Sequence, residues 1–178
     1  MTMRITPWTA SLAPRDTELV AAIEARRGGA LLNLDRMLLW SEPLARGWNV
    51  YLRALRQELS LSPFVRELAI CVVARLTGAE YEFLHHAPEL RKAGATDAQL
   101  AALDNPDAAA TSAEFNELHR AVIRFAIAST RDVKIADPIF DAVKRQLAAS
   151  EVIELTAVTA AYNMVARLLV ALQVQPES

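Results

Sequence analysis

The chain is poor in the residues that build redox, phosphate-binding and nucleic-acid sites. A single cysteine, Cys71, excludes an internal disulfide, and nothing in the sequence points to an oxidising compartment. Only five glycines occur among 178 residues, and none forms a glycine-rich phosphate loop. Nineteen basic residues against twenty-one acidic ones leave a net charge of −2, so there is no basic footprint for nucleic acid or an anionic membrane. The opening MTMRITPWTASLAP lacks a positive region followed by an apolar one, which predicts no signal peptide and a cytoplasmic protein. The longest apolar tract, residues 152–172, is interrupted by Glu154, Asn163 and Arg167. It predicts a buried helix, not a membrane span. No nucleophile elbow accompanies the serines.

What the sequence does have is alanine and aliphatic side chains. It is 53% hydrophobic with 6% aromatics, a composition suited to closely packed helices and a core that needs no staples. No strand-like alternation and no internal repeat is visible, which predicts an all-α single domain over 1–178, with residues 1–15 an irregular arm. Asp16 is placed to cap a helix that ends at Gly28-Gly29. A short apolar segment covers 30–40, and Pro43 begins a helix through Leu59. Ser62-Pro63 reads as a cap and first turn, and Gly78 closes that helix. The next helix opens at Ala79, bends or restarts at Pro88, and ends at Gly94. Thr96 and Gln99 form a capping box for a short helix to Leu103. Residues 104–110 read as a loop, and Thr111 with Glu114 as a box opening a long helix to about Thr130. Asp137-Pro138 begins another helix, and Ser150 is placed to cap the last, which ends near Leu172.

The chemistry concentrates in 63–94, PFVRELAICVVARLTGAEYEFLHHAPELRKAG. Glu67 lies among Leu68, Ala69, Ile70, Cys71, Val72 and Val73, where an ionised carboxylate is costly unless paired. Arg66 or Arg75 could hold it in a structural ion pair. Glu82 and His86, four apart, share a helix face. If Gly78 reverses the chain, Glu67 meets them in a carboxylate–imidazole cluster suited to proton transfer. His86 would carry the proton, with Glu82 orienting it. A surface Glu–His pair is the plain alternative. Glu82-x-x-His85 has the spacing of a di-iron motif, but Asn116 stands three before His119, so half the ligands are missing and no metal or other cofactor is expected. Cys71 reads as a packing residue, since burial makes a thiol inert. His119, near Glu114, Glu117 and Arg120, reads as part of a solvated face. Thr156, Thr159, Asn163 and Arg167 make a polar stripe on the last helix, read as solvated or inter-subunit in preference to a substrate grip.

Arg66-Glu67-Leu68, Tyr81-Glu82-Phe83-Leu84-His85-His86 and Ala93-Gly94 resemble, in order and spacing, the core motif of the carboxymuconolactone decarboxylase-like family, which includes the alkyl hydroperoxidase D (AhpD) proteins. AAYNMVARLLVAL is similar to the family's last helix, so the resemblance covers roughly 40–174. It implies an AhpD-like helical bundle of about seven to nine helices, assembled as trimers or dimer-based hexamers. The hydroperoxidase branch resembles a dithiol enzyme with a glutamate and a histidine at the positions of Glu67 and His86. Its two cysteine positions hold Ala79 and Glu82 here, which removes the attacking thiolate and its partner. The decarboxylase branch keeps the pattern that Glu82, Phe83 and His86 reproduce. The resemblance therefore implies a cofactor-independent lyase or isomerase acting on a small carboxylate or lactone. Glu67, Glu82 and His86 are its candidate catalytic residues, and Tyr81, His85 and Cys71 its candidate substrate contacts. A peroxidase-type antioxidant protein and a non-catalytic helical binding protein are the alternatives.

Overall fold

The computed structural model describes residues 2–177, and among these it contains ten helices and no strand. The all-α expectation is met, with more helices than the seven to nine expected. The chain divides into two compact units, one running through Glu58 together with Ala171 onward, the other Leu59–Val170.

The first unit holds α1 (Thr17–Arg27), α2 (Asn33–Leu38) and α3 (Glu42–Gln57), with α1 and α2 both packed on α3. Asp16 caps α1 by accepting hydrogen bonds from the backbone of Glu18 and Leu19, and Gly28 closes it at φ +89°. Leucines, isoleucine and tryptophans make its core: Trp8, Leu19, Ile23, Leu38, Trp48 and Leu52 are all buried.

The second unit holds α4 (Pro63–Thr77), α5 (Glu80–Lys92), α6 (Asp97–Ala102), α7 (Pro106–Ala109), α8 (Glu117–Arg131), α9 (Asp137–Lys144) and most of α10 (Ala149–Leu172). Helix α4 packs against both α5 and α8. Its residues from Glu67 to Ala74 are all buried, so it has no water-facing side over two turns. Everything polar on that stretch must find a partner inside the protein. Ser62 accepts from the Val65 N–H at the start of α4, and Gly78 ends it at φ +67°, a conformation open to glycine at little cost. The backbone then turns directly into α5, which lays α5 back along α4.

Several boundaries differ from those expected. Helix α5 runs through Pro88 without a break. Residues 104–110 contain the short helix α7, because Asn105 caps it and Pro106 fits its first turn. Helix α8 starts at Glu117 and not near Thr111: Asn116 takes the cap by accepting from the His119 N–H, while the Thr111 hydroxyl donates to the Ala108 carbonyl. Ser150 lies inside α10, and Glu151 reaches back to accept from the Ala148 N–H. The Thr96–Gln99 box stands as expected. Helix α10 is long and apolar enough to cross a bilayer by length and composition, but half of its most apolar window is buried within the protein.

Candidate active site

The tight Gly78 turn sets α4 and α5 side by side, and this brings the sequence's candidate residues together. Glu67 on α4 and His86 on α5 meet across the pair, the imidazole Nδ1 lying 2.6 Å from Glu67 Oε2. Both are buried, with 2% and 4% of their surface exposed. The other carboxylate oxygen, Oε1, accepts from Arg66 Nε at 3.0 Å. Glu67 is thus the centre of an arginine–carboxylate–imidazole chain. Burial pushes its carboxyl up, but the hydrogen bond and charge of His86, then those of Arg66, outweigh that and hold it below the usual carboxylate range. An ionised Glu67 only accepts, so Nδ1 carries a hydrogen, and Nε2 is the basic nitrogen whenever the ring is neutral. Tyr162 of α10 closes over the imidazole edge-on, with ring centroids 4.9 Å apart.

Glu82 is not the group that orients His86. It lies one turn before it on α5, 2% exposed, and neither of its carboxyl oxygens has a hydrogen-bond partner among the described residues. Glu67, coming from the neighbouring helix, is the carboxylate within hydrogen-bond distance of the ring. Burial pushes the Glu82 carboxyl well above its usual range. Its place in the first turn of α5 favours a negative charge, but by about 2 kcal/mol at most. Burying an unpaired carboxylate costs several kcal/mol, so burial wins and the neutral acid is the resting form.

The remaining candidates take other places. Cys71 has no exposed surface and sits in the core cluster; burial, followed by the charge of Glu67 and, whenever it is ionised, that of Glu82, pushes its thiol far up. That shared influence marks Cys71, Glu67 and Glu82 as one neighbourhood. His85 donates from Nδ1 to the Tyr81 carbonyl at 2.7 Å and stacks on the Tyr81 ring, and Tyr81 itself is buried. Arg75 does not reach Glu67; it pairs with Glu80 and Asp104 and lies over the Phe83 ring. Among the described residues no group of three or more histidine, cysteine, aspartate or glutamate side chains could hold a metal ion.

Two surface expectations are corrected. His119 is not on a solvated face: it is half-buried and stacks on Phe64 with centroids 4.1 Å apart, which holds its imidazole below its usual pKa by desolvation. The polar stripe of α10 is only partly solvated. The hydroxyls of Thr156 and Thr159 donate to carbonyls one turn back, and Asn163 donates to Thr130 of α8. Arg167, exposed, donates to Asn163. Tyr162 is the residue that the sequence reading passed over. It stands within the family-like segment AAYNMVARLLVAL, and an aromatic among alanines and valines was the available signal.

Residues 42–124 match the model of the Carboxymuconolactone decarboxylase family. No curated protein matches the sequence. Among solved structures, an uncharacterized peroxidase-related protein from Silicibacter sp. TM1040 is similar at 18% identity and a TM-score of 0.79, over 100% of this chain and 96% of that one. The AhpD-core peroxidase-related protein from Ralstonia eutropha JMP134 is similar at 15% identity and a TM-score of 0.81, over 99% and 93%. The debrominase Bmp8, solved with 2,3,4-tribromopyrrole, is similar at 22% identity and a TM-score of 0.76, over 100% and 94%. At such identities these likenesses speak for the fold alone. The helical motif and the family model agree: residues 42–124 are similar to the Carboxymuconolactone decarboxylase family, and the fold shared with the AhpD-core and peroxidase-related structures extends over the whole chain.

Proposed function

We propose that the protein is a cofactor-independent acid/base enzyme, a lyase or isomerase acting on a small carboxylate or lactone. The observation that carries this is the buried hydrogen bond between Glu67 and His86. A carboxylate fixed on Nδ1 holds the ring in one tautomer and stabilises the imidazolium that forms when Nε2 takes a proton. Arg66 pairs with the carboxylate from the other side and offsets its charge. His86 is the group that moves protons, Glu67 positions it, and Tyr81 and His85 remain candidate substrate contacts on α5. Removing a proton beside a carbonyl takes a base, and losing carbon dioxide there takes a proton donor for the carbon left behind; both take a way to hold the charge that develops.

The test is proton exchange in deuterium oxide, followed by NMR, over a panel of small lactones and unsaturated or β-keto carboxylates. Wild type should exchange or decarboxylate at least one compound, and His86→Ala should lose at least 100-fold in rate. Glu67→Gln should lose nearly as much, because a neutral amide no longer stabilises the imidazolium. A protein that processes nothing on the panel ends this reading.

The second reading is a peroxidase-type antioxidant protein, and the fold shared with AhpD-core and peroxidase-related proteins favours it. The chain lacks the paired thiols of such an enzyme, and Cys71 is buried with its thiol pushed far up, so dithiol chemistry has no nucleophile here. Thiol-dependent peroxide consumption should be zero; turnover like that of a dithiol enzyme would overturn the exclusion. A non-catalytic binding protein is the third reading, and it requires His86→Ala to change nothing. In either case we expect a cytoplasmic homo-oligomer, a trimer or dimer-based hexamer. Leu44, Val50 and Tyr51 are exposed on α3, and Ile153, Met164 and Val170 on α10. Sedimentation analysis would decide the assembly.

A further inference from the structure

Glu82 is the buried polar group that the dyad leaves unexplained. Its two oxygens are sealed from water and accept or donate no hydrogen bond, although native proteins satisfy nearly all such atoms. It is not a remnant in a distant part of the core. It projects from α5 one turn before His86, on the same face, and it shares the surroundings of Cys71 with Glu67. Asp35 and Glu67, the other buried carboxylates among the described residues, are both paired with arginine. A lone carboxyl beside a paired one separates two chemical roles within a single site: Glu67 stays ionised and accepts, while Glu82 keeps its hydrogen and can donate it.

Resting on the acid/base reading above, we propose that Glu82 is the proton donor to a substrate carbonyl oxygen, so that the site takes lactones and ketones that react through their enols. The step balances without an oxidant or a cofactor. His86 Nε2 takes the hydrogen from the carbon beside the carbonyl, and the C–H electron pair becomes the new carbon–carbon double bond. The carbonyl π pair moves to oxygen, and the O–H bond of Glu82 breaks to protonate it. This leaves an enol, an imidazolium stabilised by Glu67, and a Glu82 carboxylate. Returning the imidazolium proton to the same carbon gives exchange; returning it to a conjugated carbon shifts the double bond. In both cases Glu82 takes back its hydrogen from the enol oxygen.

Two measurements test this. The first is infrared difference spectroscopy of the intact protein at neutral pH. A carboxylic acid carbonyl band that shifts in deuterium oxide should be present in wild type and in His86→Ala, and absent in Glu82→Gln. No such band overturns the proposal whatever the enzyme does. The second is steady-state exchange on the compounds that wild type processes. Glu82→Gln should lower kcat about 100-fold with KM nearly unchanged, and Glu82→Asp should recover part of it. A band present with Glu82→Gln as fast as wild type makes Glu82 a buried structural acid and overturns the donor role, while the dyad reading stands. If wild type processes no lactone, ketone or keto acid, the acid/base reading fails and the donor role fails with it.

Discussion

Asp35 in the first unit and Glu82 in the second are about equally hidden from water, 1% and 2% exposed, yet only one has partners. Asp35 accepts from Arg27 at 2.8 and 3.0 Å, from Arg26 at 3.2 Å and from the Leu32 N–H at 3.0 Å, so every lone pair direction is served. Arg26 is tied in turn to Asn49. That network joins α1, the α2 start and α3, and its work is to hold the unit together. Glu82 holds nothing together. A carboxyl buried at a cost that no hydrogen bond among the described residues recovers calls for another explanation, and the donor role proposed above supplies one. Glu67 stands between the two: paired like Asp35, but also to an imidazole whose far nitrogen is the proposed base.

The comparison is broken most forcefully at Asp35. Asp35→Ala leaves two buried guanidinium groups without their counter-charge and should cost about 3–5 kcal/mol, read as a fall in the urea midpoint. His86→Ala is next, since Glu67 keeps only Arg66; about 1.5–3 kcal/mol of stability should go with the charged hydrogen bond, together with the catalytic rate.

The two glutamates should then give opposite pH slopes. Glu67 titrates below its ordinary value of 4.5 in the folded protein, so its contribution is present above 4.5 and is lost as pH falls through the lower folded value. Glu82 titrates above 4.5, so its contribution is present below 4.5 and is lost as pH rises toward the higher folded value. Urea midpoints measured across that range should lose acid sensitivity in Glu67→Gln and gain stability at neutral and higher pH in Glu82→Gln. Equal slopes in the two variants would erase the distinction drawn here.

The smallest effect is expected at Cys71. With its thiol buried and pushed far up, alkylation by iodoacetamide at pH 8 should be undetectable in the folded protein and complete after denaturation.

Much of the local structure was legible because it rests on contacts within one turn. Ser62-Pro63, Gly78 and the Thr96–Gln99 box act through neighbouring backbone groups, and each appears where the sequence puts it. The same logic failed at Thr111, where two polar residues close together offered rival caps and Asn116 prevailed. It failed at Pro88, where a missing donor did not end a helix that is held on both sides of it. His119 was misplaced because its charged sequence neighbours said nothing of Phe64, fifty-five positions away on another helix.

By itself, then, the sequence determined an all-helical chain with Glu67, Glu82 and His86 gathered around one glycine turn, since periodicity and capping are short-range effects. Which carboxylate holds the imidazole was decided only by tertiary structure. The partner of His86 comes from the adjacent helix, nineteen residues away, and not from the one turn before it that spacing favoured. Tyr162 reaches the ring from α10 for the same reason. A hydrogen bond requires direction as well as proximity, and direction across two packed helices is not written in the spacing of either.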